Sequence, residues 1–235
     1  MSANYIGSEL DLFAHALNWK AYWSAVLRPY IGSTILDVGA GIGGTAKAYS
    51  NLQCERYLAL EPDASLASRM REEMGDGGYP ANFDVAVGTT SDLRPDQQFD
   101  TILYIDVLEH IADDRDELRR ASAHLVPDGR ILVLAPAHQW LYSEFDKAIG
   151  HVQRYDRRSL LAAMPEGFVA ERLIYLDCAG LLASLANRLL LRASSPSPGQ
   201  IELWDGRLVP VSTRLDRALG YNVGKTIFAS FRRLG

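Results

Sequence analysis

Asp37, Gly39, Gly41 and Gly44 are spaced for chemistry carried out beside a backbone turn. The apolar run Thr34–Val38 leads into Gly39-Ala40-Gly41-Ile42-Gly43-Gly44, the pattern of a buried strand turning sharply into a helix. Such a turn lets the main chain approach a nucleotide-like cofactor, and the G-x-G-x-x-G spacing alone does not say which one. Asp37 discriminates. A pyrophosphate needs helix-end N–H groups and is repelled by a fixed anion two residues before the first glycine. S-adenosylmethionine has no phosphate and carries an ammonium and a sulfonium, so the same carboxylate attracts it. The next strand-like run, Arg56–Glu61, ends in an acid 20 positions after Gly41. Both carboxylate oxygens of Glu61 can accept from a ribose diol, a pairing open to NAD and to S-adenosylmethionine alike.

A second group of reactive side chains lies in Ala137 to Arg158. Trp140, Tyr142, Phe145 and Tyr155 can wall an apolar pocket, while His138, Asp146, His151 and Arg154 can orient or deprotonate an acceptor. The segment follows the fifth strand, at the carboxyl edge where open α/β sheets bind ligands. The simpler alternative is a loop with an aromatic cluster of its own. The sulfonium cofactor that Asp37 favours reacts by giving up its methyl group in an in-line displacement at carbon, a chemistry in which alignment and exclusion of water come first. A hydroxyl acceptor must also lose a proton, for which His151 and His110 are the candidate bases, with His110 alternatively structural. His124 has apolar helix neighbours and is expected in the core; His15 lies far from any motif.

Strand-like and helix-like runs alternate to hold these groups: Thr34–Val38, Gly43–Asn51, Arg56–Glu61, Ala64–Met74, Asn82–Val87, Phe99–Ile105, Asp114–His124 and Arg130–Ala135. Alternation of this kind predicts a doubly wound α/β sheet, mostly parallel, with helices on both faces. Phe168–Leu176 and Lys225–Phe231 add two strands, for seven in all. Ahead of them, Ser8 to Leu27 carries a helical apolar stripe, with Ser8 as a candidate cap and Pro29 as its stop. Residues 1–30 are thus an N-terminal helical cap from which Trp19 or Tyr22 could reach the cofactor.

Four blocks, Ile35–Gly43, Leu58–Asp63, Phe99–His110 and Leu125–Leu134, resemble the class I S-adenosylmethionine-dependent methyltransferases, in the small-molecule branch that includes the ubiquinone-biosynthesis type. The resemblance implies the Rossmann-like methyltransferase fold, with an antiparallel last strand and a single domain over 1–235. It also implies that Asp37, Gly39, Ala40 and Gly41 cradle the methionine moiety, that Glu61 and Pro62 flank the ribose, and that Thr89, Thr90 and Asp106 border the remainder of the cofactor. Many relatives have an acid where Thr89 stands; here Asp92 or a backbone carbonyl would take its place. Some bacterial relatives linked to glycan or lipid modification share Gly-His-x-Arg-Arg-Tyr, with Gln153 replacing the first arginine here.

With 235 residues, 48% of them hydrophobic, the chain can bury one substantial core. A net charge of −5 with no long basic run argues against a nucleic-acid partner. Tyr104-Ile105-Asp106-Val107 also lacks the Asn/Asp-Pro-Pro-aromatic element of methyltransferases that act on nucleic-acid amino groups, and neither Cys54 nor Cys178 follows a proline. Two cysteines make no disulfide framework, and Met1 to Asp11 has neither a basic nor an apolar leader region, so a cytoplasmic location is expected. No metal is called for by the spacing. The insertion Ala179 to Tyr221 begins with an apolar stretch to Leu191, too short to span a bilayer of roughly 30 Å. It is expected as a lid or homodimer face, with membrane docking as the alternative; Ser194–Gly199 is expected as a break and Val211–Leu219 as a helix. Together these features predict transfer of a methyl group to a small acceptor, more readily on oxygen than on nitrogen or carbon. Alternatives are a non-methylating binder, an aminopropyl-type transferase, or an NAD-dependent oxidoreductase, against which Asp37 counts.

Overall fold

The computed structural model describes residues 9–186 and 197–235. Ser8 and the 187–196 part of the expected apolar stretch and break lie outside them. In chain order the elements are α1 (Glu9–Ala14), α2 (Leu17–Leu27), β1 (Thr34–Val38), α3 (Gly44–Ala48), β2 (Arg56–Glu61), α4 (Ala64–Glu73), β3 (Phe83–Val87), β4 (Phe99–Ile105), α5 (Asp114–Ala123), β5 (Leu125–Pro136), α6 (Glu144–Ala148), α7 (Arg157–Ala163), β6 (Phe168–Leu176), α8 (Cys178–Ala186), α9 (Pro198–Leu203), α10 (Val209–Ala218) and β7 (Thr226–Arg233).

The strands form one sheet in the order β3-β2-β1-β4-β5-β7-β6, parallel except for β7, which runs antiparallel to both neighbours. The central strands read as continuous apolar runs because both faces are covered. Successive residues point to opposite faces: Leu36, Ile102, Tyr104 and Val133 pack on one side, while Ile35, Leu103 and Leu132 pack on the other against Trp19, Trp23 and Leu27 of α2. Strands are added outward on one side up to β3 and on the other from β4, so the order switches between the parallel β1 and β4, and the crevice at their carboxyl ends is where this sheet order binds ligands.

Three stretches differ from the sequence-based expectation. Ser8 to Leu27 is not one helix: it breaks at His15–Ala16, and Ala16 provides no side-chain cap for α2. Asp205 supplies that cap from far along the chain, accepting from the backbone N–H of Asn18 at 3.1 Å and of Trp19 at 2.8 Å. The expected break up to Gly199 instead contains a helix start at its described end, where Ser197 and Gln200 form a reciprocal cap on α9. The helix then runs through a π-helical turn, Trp204–Leu208, into α10, so it begins well before Val211. Finally, Ala137–Arg158 is not wholly loop, since Ser143 and Asp146 cap the short α6.

The insertion between β6 and β7 is fastened by buried carboxylates. Asp177 accepts from Trp204 Nε1 at 2.7 Å and Ser212 Oγ at 2.6 Å, and Asp216 accepts from Tyr22 Oη and the backbone N–H of Asp177, both at 2.7 Å. Both aspartates are 0% exposed. Fully paired groups of this kind fix α8 to α10 against α2 and the sheet. Among the described residues no helix is long and apolar enough to cross a membrane.

Candidate active site

The loops after β1, β4 and β5 and the roof made by α1, α2 and the insertion enclose a cavity of about 1090 Å³. That exceeds the roughly 300–1,000 Å³ typical of a site for one drug-sized ligand, leaving room for two reactants side by side. One end is the glycine turn: Gly39, Ala40, Gly41, Ile42, Gly44 and Thr45 line it, faced by Leu10, Trp19, Lys20 and Trp23. The turn requires glycine. Gly39, Gly41 and Gly43 have φ of 66°, 58° and 77°, and a Cβ on Gly39 would stand 2.7 Å from Val107 Cγ1.

Asp37 and Glu61 act on this turn from behind, not as cavity walls. Asp37 is 1% exposed and accepts from Tyr57 Oη at 2.9 Å. Burial pushes its carboxyl up to about 7, against the pull of the tyrosine hydrogen bond. Glu61 accepts from the backbone N–H of Gly41 at 2.8 Å through one oxygen and of Asp63 at 2.9 Å through the other, tying the end of β2 to the turn. Burial raises the Glu61 pKa, while the Asp63 and Gly41 N–H groups pull it back. Each oxygen keeps a second lone pair.

The remaining residues expected around the cofactor divide. Asp106 lines the cavity at the end of β4 with φ of 54°, a strained value for a residue with a side chain and one that recurs where ligands are held. Pro62 is exposed and, with Thr89 and Thr90, lies outside the cavity lining. Thr90 is buried and donates to Glu117 Oε2 at 2.9 Å. Asp92 accepts from both the backbone N–H and the hydroxyl of Thr89, at 2.8 and 2.9 Å, so the residue expected to replace the missing acid caps its own turn. Trp19 lines the cavity; Tyr22 is committed to Asp216.

At the other end stand His110, Tyr142, Phe145, Asp146, His151 and Arg154. Asp146 organises them: it accepts from His151 Nδ1 at 2.9 Å and from Arg154 Nε and Nη2 at 2.8 and 2.9 Å. Burial opposes its ionisation, but the hydrogen bonds from His151 and Arg154 hold the carboxyl well below the usual range. Tyr142 Oη donates to the His151 carbonyl at 2.6 Å. Burial, then the adjacent His151, push His110 down to about 4, and the two imidazoles meet edge to face at 4.7 Å between centroids.

Three residues expected to hold an acceptor lie outside this cavity. His138 stacks on Trp140 and Tyr175 with Nε2 at 3.0 Å from the Gly224 carbonyl. Trp140 is 51% exposed on the outer surface of the loop. Tyr155 is 1% exposed and bonds Asp114 Oδ2 at 2.8 Å, serving as an internal post. The chain turns at His138, φ 68°, and a backbone bridge between Ala137 and Tyr155 directs all three away. Conversely, the motif reading passed over Lys20, Glu109 and Lys225, all on the cavity wall. Lys20 sits 3.7 Å from the Cβ position of Gly44, and Lys225 lies over the Trp204 ring at 4.1 Å while pairing with Asp177 at 3.3 Å. No local pattern marks Lys20 or Lys225, which distant segments bring in, whereas Glu109 stands beside His110 at the end of the Phe99–His110 block.

Residues 36–131 match the family model Methyltransf_12, described as a methyltransferase domain. A ubiquinone biosynthesis O-methyltransferase of Paramagnetospirillum magneticum is 32% identical over 106 residues, 45% of this chain and 41% of that protein. The uncharacterized methyltransferase YcgJ of Bacillus subtilis is 31% identical over 154 residues, 61% of this chain and 58% of YcgJ. The YcgJ crystal structure superposes with a TM-score of 0.60 at 15% identity, covering 94% of this chain and 99% of that one. The [4+2]-cyclase SpnF superposes at 0.63 with 14% identity, over 98% and 96% of the two chains. The chain spans about half the length of the curated relatives it matches. The domain match over residues 36–131 and these likenesses make the chain similar to S-adenosylmethionine-dependent methyltransferases, and its sheet order with the reversed β7 is the Rossmann-like fold of those structures.

Proposed function

We propose that the chain transfers a methyl group from S-adenosylmethionine to a hydroxyl of a small, largely apolar acceptor. The observation that carries this is the single cavity reaching from the glycine turn to the His110/His151/Arg154 cluster. The turn end fits the cofactor's chemistry, with the backbone of Ala40 and Gly41 for close approach and Lys20 for a carboxylate, while Glu61 behind the turn, outside the cavity lining, holds the Gly41 N–H and keeps lone pairs for a ribose diol laid over the turn. Asp37, buried behind the turn with its pKa raised to about 7 by burial, is drawn toward its ionised form by a cation bound in front of it. S-adenosylmethionine brings an electrophilic methyl group on a sulfonium.

The chain's task is alignment, exclusion of water and removal of the acceptor's proton. Phe13, Trp19, Phe145 and Trp204 give the cavity flat apolar walls suited to an aromatic acceptor. His151 donates Nδ1–H to Asp146, which leaves Nε2 as the basic atom, and the Asp146 carboxylate steadies the imidazolium once the proton arrives. Arg154 holds Asp146 in place and Tyr142 holds the His151 backbone, so both act through His151. Similarity to a ubiquinone biosynthesis O-methyltransferase supports oxygen as the methylated atom.

Isothermal calorimetry with S-adenosylhomocysteine, followed by methyl transfer from labelled S-adenosylmethionine to a panel of phenols and catechols, tests this proposal. His151→Ala is expected to keep cofactor affinity within about threefold and to lower turnover by about 10²-fold. Because SpnF has the same fold and is a cyclase, binding alone does not suffice. NADH binding with none for S-adenosylhomocysteine, or labelled product unaffected in His151→Ala, overturns it.

A further inference from the structure

Glu109 is an anomaly in a protein whose other buried acids are paired. It is 0% exposed, and neither carboxylate oxygen has a hydrogen-bond partner. Burial raises its pKa well above the usual range, with the nearby Asp106 charge adding to the effect. An orphaned carboxyl of this kind is costly and calls for an explanation. Its surroundings give one. Glu109 and His110 share the turn after β4, and the Val152 N–H donates to the Glu109 carbonyl at 2.8 Å, drawing the His151 segment against that turn. His151 Nε2 lies 3.8 Å from Glu109 Oε1, too far for a hydrogen bond, and its Nδ1 is spoken for by Asp146. His110 meets the His151 ring edge to face at 4.7 Å between centroids.

We propose that Glu109, His110 and His151 form a binding site for one divalent transition-metal ion, zinc foremost, opening into the cavity. One ligand atom from each lies within 4.8 Å of the other two. Metal–ligand distances of about 2.0–2.2 Å put tetrahedral ligands about 3.4 Å apart, so an inward movement of the side chains by about 1 Å closes the set. Two imidazoles and one carboxylate select zinc and its first-row neighbours over magnesium or calcium, and three protein ligands leave a coordination position for a molecule in the cavity. The pairing of Asp146 with His151 Nδ1 is the outer support that metal-bound histidines receive: it fixes the ring and leaves Nε2 with its lone pair toward the ion. The ion would also supply the missing partner of Glu109. Metal binding needs no cofactor and no methyl transfer, so its test is independent of cofactor binding and competes only with the base role of His151. With the ion in place His151 Nε2 is a ligand and not a base, and metal content decides between the two roles.

The experiment uses the full untagged chain, stripped with a chelator and dialysed into metal-free buffer at pH 7.5. Zn²⁺ is titrated against a chromophoric competitor, and Co²⁺ is followed by its visible absorption. One equivalent is expected to bind, with nitrogen and oxygen ligation in the Co²⁺ spectrum. Glu109→Gln, His110→Asn and His151→Asn are each expected to weaken binding about 100-fold or more, Asp146→Asn about 10–100-fold, and the remote Glu171→Gln not at all. Circular dichroism on each variant separates loss of the site from loss of the fold. Failure of the wild-type chain to take up one equivalent, or uptake undiminished in the folded ligand variants, overturns the proposal.

Discussion

Glu61→Gln isolates the carboxylate that joins β2 to the glycine turn. Its two oxygens accept from the backbone N–H groups of Gly41 and Asp63 at 2.8 and 2.9 Å, and the residue is 5% exposed. An amide of the same shape offers one oxygen, so one of these N–H groups meets an NH₂ instead. Losing a charge-assisted hydrogen bond costs about 1.5–3 kcal/mol, and a buried donor left facing a donor costs about 1–3 kcal/mol. Relief of the desolvation that raises the Glu61 pKa offsets part of this, so a net loss of about 2–3 kcal/mol is expected. For a chain of this size that is a fall in Tm of about 4–12 °C, read by circular dichroism without any cofactor. Calorimetry on the same protein should show S-adenosylhomocysteine binding at least about tenfold weaker, equivalent to about 1.4 kcal/mol. An unchanged Tm would refute the clamp. A lowered Tm with undiminished affinity would refute the ribose role and leave only the clamp.

Gly39→Ala should destabilise the fold by about 2–4 kcal/mol in urea unfolding, since its Cβ meets Val107 at 2.7 Å in a left-handed backbone. Asp37 predicts a pH signature. Its folded pKa of about 7 lies above the ordinary 3.8, so the stability linked to its protonated form is complete below pH 4 and lost as pH rises through 7. Asp37→Asn removes that loss, and its unfolding free energy relative to wild type should rise by about 2–4 kcal/mol between pH 4 and pH 8; a constant difference would count against a buried, mostly neutral Asp37. Trp140→Ala should leave both cofactor affinity and turnover within about threefold, because the ring lies outside the cavity; a tenfold loss of turnover would return it to the acceptor site. Leu182 is 67% exposed on α8, yet single exposed leucines are ordinary on soluble surfaces, and the chain should stay in the supernatant with anionic and neutral vesicles. Pelleting abolished by Leu182→Asp would favour membrane docking.

The sequence by itself determined the sheet and the glycine turn, because both are written in local patterns. Runs such as Thr34–Val38 and Phe99–Ile105 are short, rich in β-branched and apolar residues and without strict alternation, as a strand covered on both faces requires, and β1, β2, β4 and β6 have the expected bounds. The positive-φ positions at Gly39 and Gly41 follow from residue type. Tertiary structure alone decided which side chains meet. Asp37 and Glu61 are spaced as cofactor ligands, but the direction of each side chain is set by Tyr57 in one case and by the Gly41 and Asp63 N–H groups in the other. His138, Trp140 and Tyr155 share a loop with His151 and Arg154, yet a single left-handed residue at His138 and one bridge turn them away. The break in the first helix depends on Asp205, 187 positions from Asn18, and the gathering of Glu109, His110 and His151 depends on a backbone hydrogen bond across two loops. Periodicity encodes which face of an element is buried; it carries no information about partners supplied by distant segments, and the chemistry at the far end of this cavity is made almost entirely of such partners.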